Sequence, residues 1–293
     1  MEKSLRTAVM VAGAAALLGL VVVAPAASIP AAAQQRGGGQ ATVAPAAAKP
    51  MPRTSWDGKP DLTGVWGGPL PATGTPSVEE RASSVAELAR LYQPWALEKS
   101  NALSYLEDPR LHCGPWGFPR YIDGASLAVP RNAFYFLLQI VQAPKETAVF
   151  IEYVYTGYRV IPTDGSTHPK TIVPSFFGDS VGRWEGDTLV VDVTGFNGKI
   201  WLANGKLGTR PPGDLGGGTM TSDALHEVER WRLVDADTLE YQAIVEDPKV
   251  LTGAWTTPKY RLRRVPPGTV PHEALCLDPE DLAVMKAATK EQK

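Results

Sequence analysis

Two apolar rhythms follow one another along the chain. Val85, Leu88, Ala89, Leu91, Tyr92 and Trp95 recur at helical spacing, with Glu79, Glu80, Arg81, Glu87 and Arg90 at the complementary positions, which predicts one amphipathic helix. Pro94 has no backbone N–H to donate and should end or kink that helix near Trp95. Further on the period shortens to that of strands. Ala133 to Gln142, Thr147 to Tyr155 and Tyr158 to Ile161 are rich in aromatic and β-branched residues and are separated by Pro144-Lys145 or by Gly157, as in a meander. Two later stretches resemble each other. Val181-Gly182-Arg183-Trp184 turns at Glu185-Gly186 and returns as Asp187 to Asp192, while Val228-Glu229-Arg230-Trp231 turns around Val234-Asp235-Ala236 and returns as Asp237 to Gln242. Thr257 to Arg264 adds a further strand, and Asp278-Pro279-Glu280-Asp281 carries the cap, proline and acids that open a short terminal helix.

These elements predict an all-β fold. An antiparallel meander of about seven or eight strands, from residue 133 to 264, should close into a barrel-like (calycin-like) sheet. The amphipathic helix precedes it, the short C-terminal helix follows it, and Trp184 and Trp231 take comparable places on their two hairpins.

Three segments carry a resemblance. Trp56-Asp57-Gly58-Lys59-Pro60-Asp61-Leu62-Thr63-Gly64-Val65-Trp66, the run from Gly178-Asp179-Ser180-Val181-Gly182-Arg183-Trp184 through Glu185-Gly186-Asp187-Thr188-Leu189-Val190-Val191-Asp192, and Ala224-Leu225-His226-Glu227-Val228-Glu229-Arg230 are similar to signature segments of a large, mostly uncharacterised family of exported bacterial proteins. The resemblance spans roughly Trp56 to Arg264. It implies an exported, antiparallel β-rich domain and brings no reaction with it.

Composition narrows the picture. With 28 Gly and 26 Pro in 293 residues a helical bundle is disfavoured, and 29 basic against 31 acidic residues leave a formal net charge of −2. No basic stripe stands out, which speaks against a nucleic-acid partner. Lys3 and Arg6, the apolar run Ala8 to Val23 and the small residues Ala31-Ala32-Ala33 have the layout of a secretory signal over 1–33. The run is short for a span of about 20 residues, with an uncleaved anchor as the alternative. Residues 34–53 read as a flexible Gly/Ala/Pro-rich spacer and 54–293 as a single β-rich domain. The expected location is the periplasm or the exterior. There, Cys113 and Cys276, the only two cysteines, should pair as a disulfide; a reactive thiol at Cys113 beside His112 is the competing reading.

Candidate chemistry lies where strands meet loops. His168, in Asp164-Gly165-Ser166-Thr167-His168-Pro169, and His226 have side chains suited to proton transfer near neutral pH. Asp164, Asp179 and Glu229 are candidate orienting carboxylates, and Arg230 could hold developing negative charge. Asp164 could equally be a turn cap. His226, Val228, Arg230 and Arg232 alternate with Leu225, Glu227, Glu229, Trp231 and Leu233, so the His226/Arg230 face lines a polar cavity or both rows are solvated. Asp192, set among valines, needs a partner, for which Arg183 or Arg230 is available. Strand polarity allows His168 and His226 to meet at one barrel mouth with a carboxylate beside at least one ring. Arg120 could clamp an anionic ligand or pair at the surface, and Trp184 and Trp231 are aromatic candidates for ligand contact.

Other motifs fail on context. Gly178-Asp179-Ser180-Val181-Gly182 matches G-x-S-x-G, but a hairpin follows where a hydrolase needs a helix. Gly213 to Gly218 lacks the Lys-Ser/Thr of a phosphate loop and reads as a mobile loop or lid. The four histidines, His112, His168, His226 and His272, form no close-spaced ligand pair, so neither metal nor other cofactor is expected. Two functions of different class remain: an enzyme acting on a small organic molecule by acid/base chemistry (lyase, isomerase or hydrolase), or a barrel that binds an apolar ligand without catalysis.

Overall fold

Strand after strand buries every second side chain, and that alternation determines which way the sheet curls. The computed structural model describes residues 49–67, 76–123, 137–152, 157–204 and 217–271, all within one compact unit that begins at Ala47. Its strands are β1 (Gly64–Gly67), β2 (Leu137–Gln142), β3 (Glu146–Ile151), β4 (Gly157–Pro162), β5 (Asp179–Glu185), β6 (Thr188–Thr194), β7 (Trp201–Asn204), β8 (Gly218–Met220), β9 (His226–Asp235), β10 (Thr238–Glu246), β11 (Trp255–Thr256) and β12 (Tyr260–Arg264). One sheet runs in the order β4-β3-β2-β1-β12-β10-β9-β6-β5, with β11 beside β10, and every neighbouring pair is antiparallel.

The sheet is a nearly closed barrel. Its two end strands lie against each other: a Cβ on Gly182 would sit 2.8 Å from Ile161 Cγ2, and one on Gly157 would sit 2.6 Å from the Phe177 ring. A larger residue at either position would push the ends apart. Within the described residues the meander and the paired hairpins form as their patterns imply, with 133–136 and 153–155 of the expected strands lying outside them, and β6 pairs with β9, so the two similar hairpins are neighbours. Register aligns Trp184, Leu189, Trp231 and Tyr241 across four strands.

Some elements differ from the sequence reading. The strand β1, which the pattern did not signal, joins β2 to β12 and completes the circuit. It holds Trp66, fully buried, whose Nε1 donates to Leu62 O at 2.9 Å while the Arg264 guanidinium stacks 4.1 Å from its ring centroid. Two of the signature segments meet at this end. Arg53 grips Asp187, in the β5–β6 turn, with two bonds of 3.0 and 2.8 Å, and Lys59 Nζ donates to Gly186 O at 3.3 Å.

The amphipathic helix is α1 (Val78–Leu91), opened by a capping box in which Glu80 N donates to Ser77 Oγ and Ser77 N donates to Glu80 Oε2. It stops before Pro94. Tyr92 is already extended, and Pro94 starts a second helix, α2 (Pro94–Ala102), because its missing N–H costs nothing in a first turn. Trp95 therefore points outwards while Leu88, Tyr92 and Ala96 join the core.

A segment between helix and barrel closes over the interior. It contains short 3₁₀ turns at Tyr105–Glu107 and Pro109–His112 and one α-helical turn, α3 (Arg120–Asp123). Phe118 sits inside the barrel, 5.9 Å from Trp231 and 6.2 Å from Tyr241 between ring centroids. Arg120 anchors this segment. It is only 1% exposed and donates two hydrogen bonds to the buried Asp108, at 3.0 and 2.5 Å, with its guanidinium 5.2 Å from the Trp116 ring. Neither a surface pair nor a clamp open to ligand describes it.

Gly218 belongs to β8, where its missing side chain admits the Trp201 ring, and β7 and β8 form a separate two-stranded sheet. Residues 213–216 lie outside the described residues, as do the leader, the helix expected from Pro279, His272 and Cys276. Among the described residues no helix is long and apolar enough to cross a membrane.

Candidate functional site

Two polar clusters flank the β6–β9–β10 wall, one on each side. Parity divides them. Along β9, Glu227, Glu229, Trp231 and Leu233 are buried, whereas Arg230 and Arg232 are exposed. The inward row is therefore the one with Glu227 and Glu229, and His226 and Arg230 stand on the outer face. Neither alternative read from the sequence holds: the His226/Arg230 row faces outwards, and the other row is buried rather than solvated.

On the outer face, five residues form a chain of alternating carboxylates and imidazoles. His168 donates from Nδ1 to Asp179 Oδ1 at 2.5 Å and from Nε2 to Asp192 Oδ1 at 2.9 Å. His226 donates from Nε2 to Asp192 Oδ2 at 3.2 Å and from Nδ1 to Glu246 Oε2 at 3.0 Å. An ionised carboxylate accepts and does not donate, so all four bonds are made together only when both rings are protonated. Burial alone would lower both histidine pKa values, but the hydrogen bonds to Asp179 and Asp192, and to Glu246 and Asp192, outweigh it and raise them above 6.5. For Asp192, burial pushes the pKa up and the two imidazoles pull it down further, leaving it below 3.8.

This arrangement has a chemical consequence. In their doubly protonated form the rings offer no lone pair, so while this chain of bonds is intact neither histidine can take a proton from a ligand. The two rings do converge on one carboxylate, at the ends of the strands and on the outer face of the wall. Asp192 finds its partners in His168 and His226. Arg183 and Arg230 instead share Glu185, at 2.8 and 3.0 Å. Asp164 lies apart from the cluster: it caps its own turn, accepting from Ser166 N at 3.1 Å, and is exposed.

Inside the barrel, Glu229 is the hub. It accepts from Arg159 and, at 3.0 Å, from Trp231 Nε1 through Oε2, and from Tyr241 Oη at 3.2 Å through Oε1. The Arg159 guanidinium lies 4.1 Å from the Phe118 centroid. Trp231 and Tyr241 meet edge to face at 4.6 Å. Trp184, partly buried, packs on the same inward row.

Two residues along β9 from this hub stands Glu227. It is 0% exposed, and neither carboxyl oxygen has a hydrogen-bond partner. Burial, then the charge of Glu229, holds its pKa well above 4.5, with Arg159 opposing. The same influences raise Tyr241 well above 10: burial first, then Glu229 and Glu227. Glu227 is thus shifted towards its neutral acid form beside an ion pair. Register puts Ser180, Val193, Glu227 and Val245 in one row, and Ser180 Oγ also lacks a partner.

Glu227 and Arg159 were not among the residues singled out from sequence. A signal for Glu227 did exist: Leu225, Trp231 and Leu233 share its parity and mark that row as the buried one. Arg159 had none, since an arginine on a short strand is ordinarily solvated. Among the described residues, no group of three or more His, Cys, Asp or Glu side chains could hold a metal ion. The chain matches no protein-family model, no curated protein and no solved structure.

Proposed function

We propose that this protein is an exported enzyme, periplasmic or secreted, that acts on a small organic molecule by general acid/base chemistry inside the barrel. Glu227 is the proton donor and Glu229 the charged partner. One observation carries the reading: a fully buried carboxyl group with neither oxygen satisfied. Leaving such a group unpaired costs about 1–3 kcal/mol, a cost that a purely structural glutamate would avoid by pairing. Two acids on one strand, one kept neutral by burial and the other held against a guanidinium, form the kind of pair whose protonation states are driven apart for acid/base work. Export is supported by the charged, apolar and small-residue layout of 1–33. In this reading the outer His168–Asp192–His226 chain is a clamp that ties the 163–178 segment to β6, β9 and β10, and it is not the reacting site.

A second reading is favoured by the apolar share of the interior, where Phe118, Trp231 and Tyr241 pack together with Val193 and Val245 in the adjoining row: a barrel that binds an apolar ligand without turning it over. The test is incubation of the purified protein with a mixed metabolite extract, following mass and retention time of each component. Turnover by wild type and R230A that is lost in E227Q supports the enzyme. A component retained by the protein, unchanged, and released by E227L supports the carrier.

A further inference from the structure

We propose that the outer wall of the barrel, from β5 across to β12, docks a linear acidic polysaccharide that carries uronate carboxylates along its chain. This surface is separate from the barrel interior, and it does not depend on the function proposed above.

The sheet assembles a basic face that no single stretch of the sequence contains. Register lines up two outward rows: Glu185, Thr188, Arg232, Glu240 and Arg261 in one, and Arg183, Val190, Arg230 and Gln242 in the next. Lys259 reaches the first row from the start of β12, its Nζ 3.5 Å from Glu240, and the exposed Arg263 follows Arg261 by two residues, opposite Thr238. Among the described residues these positions hold six cations and two carboxylates, on a chain whose formal net charge is −2.

The two carboxylates organise the cations without matching them. Glu240 is shared by Arg232 at 3.0 Å, Arg261 at 3.2 Å and Lys259, and Glu185 is shared by Arg183 at 2.8 Å and Arg230 at 3.0 Å. One carboxylate carries one charge, so each cluster keeps a surplus of positive charge. The five side chains remain 28–59% exposed. Exposed ion pairs contribute little, so a guanidinium can turn to an incoming carboxylate at small cost and take it with two parallel hydrogen bonds.

Spacing and shape select the partner. The cations stand on β5, β9 and β12, with β6 and β10 between them, so the columns are two strand spacings, about 10 Å, apart. The carboxylates of a polysaccharide with one uronate in each disaccharide recur at about that distance. Asp179, Asp192 and Glu246 bound the face at the other ends of these strands, so a polyanion is directed across the strands and not along them. The columns also spread over five of the nine strands of a nearly closed barrel and so point in different directions. A flexible chain can follow that curve, whereas a flat membrane meets only part of it. Single-stranded nucleic acid can bend too, but it binds by stacking its bases on aromatic rings. Among the described residues the exposed aromatic side chains, Trp56, Trp95, Phe150 and Tyr158, all lie off these strands.

The test is fluorescence anisotropy of a labelled hyaluronan oligosaccharide, which has one uronate in each disaccharide, titrated with the purified protein at low ionic strength. A dextran oligosaccharide of equal length is the neutral control. Hyaluronan is expected to bind and dextran not, with affinity falling as salt is raised. K259E/R263E, checked for folding by circular dichroism, should weaken binding at least tenfold, while K99E, on α2, binds as wild type. E185Q removes an internal competitor for Arg183 and Arg230 and should tighten binding, a gain that misfolding cannot imitate. Absence of hyaluronan binding, or binding that neither K259E/R263E nor E185Q changes, would overturn the proposal. Phosphatidylglycerol vesicles or a single-stranded oligonucleotide bound more tightly than hyaluronan, with the same response to the variants, would overturn it in favour of a membrane or a nucleic acid.

Discussion

His168 and His226 hold the same carboxylate, Asp192, which accepts from one ring through Oδ1 at 2.9 Å and from the other through Oδ2 at 3.2 Å. The contact links a loop to two strands, so its protonation is coupled to the fold. The pH window follows from the directions of the shifts. A histidine whose folded pKa is raised contributes stability fully below 6.5, lost as pH rises through the folded value. A depressed Asp192 contributes above 3.8, and loses that contribution as pH falls through its folded value. The clamp is strongest between those two ordinary values. D192N should lower stability by about 1 kcal/mol near pH 5.5, a modest figure because the groups are half-exposed, and by less at pH 8. Urea denaturation against pH, with NMR titration of both rings, measures it.

Glu227 behaves in the opposite sense. Its folded pKa is raised, so the neutral acid contributes stability below the unfolded value of 4.5, and that contribution fades as pH rises towards the folded value. Each pH unit in that interval costs about 1.4 kcal/mol. E227Q, which cannot ionise, should match wild type at pH 4 and exceed it at pH 7. Denaturation midpoints at the two pH values compare them; equal differences at both would show that Glu227 is charged in the fold.

Arg159 and Glu229 are buried together, and removing one partner strands the other. R159M should lose about 3–5 kcal/mol, and the double variant R159M/E229L should recover much of it, since replacing both charges with apolar groups removes the desolvation cost. Thermal denaturation of wild type and the two variants provides the measurement.

Arg230 and Asp164 make their contacts on the surface. R230A and D164A should each leave stability nearly unchanged, and neither should alter affinity for a small-molecule ligand. An effect of R230A on ligand affinity would return the outer face to consideration as the site.

Cys113 and Cys276 are expected to be joined in the exported protein. A non-reducing peptide map should contain one cross-linked peptide pair, and alkylation before reduction should label neither residue. Labelling of Cys113 at neutral pH would favour the reactive-thiol reading.

The barrel was legible because its strands carry strong period-2 patterns and because the Val-x-Arg-Trp and Asp-Thr-Leu repeats marked two equivalent hairpins. The strand β1 was not, because Gly64-Val65-Trp66-Gly67 is short and Gly-flanked and acquires its role only when β2 and β12 arrive on either side. The convergence of His168 and His226 could be anticipated from strand polarity, but the side of the wall could not. Both rows of β9 carry charge, and deciding between them meant giving more weight to Leu225, Trp231 and Leu233 than to His226 and Arg230. Pro94 shows a different limit: proline marks a helix boundary, but the residue alone does not say whether a helix is ending or beginning.

The order of the sheet carries a consequence at its seam. Nine strands alternate in direction along the path, so the first and last, β4 and β5, run the same way. An odd circuit cannot be laced by an antiparallel ladder all round, and among the described residues no strand pairing joins β4 to β5. Packing at Gly157 and Gly182 holds the seam instead of a row of hydrogen bonds. The edge amides of these two strands should exchange with solvent sooner than those of β9 or β10, which are laced on both sides. If a molecule enters the barrel, this unlaced join, bordered by Arg159 and Ser180, is where the wall can part without breaking a ladder.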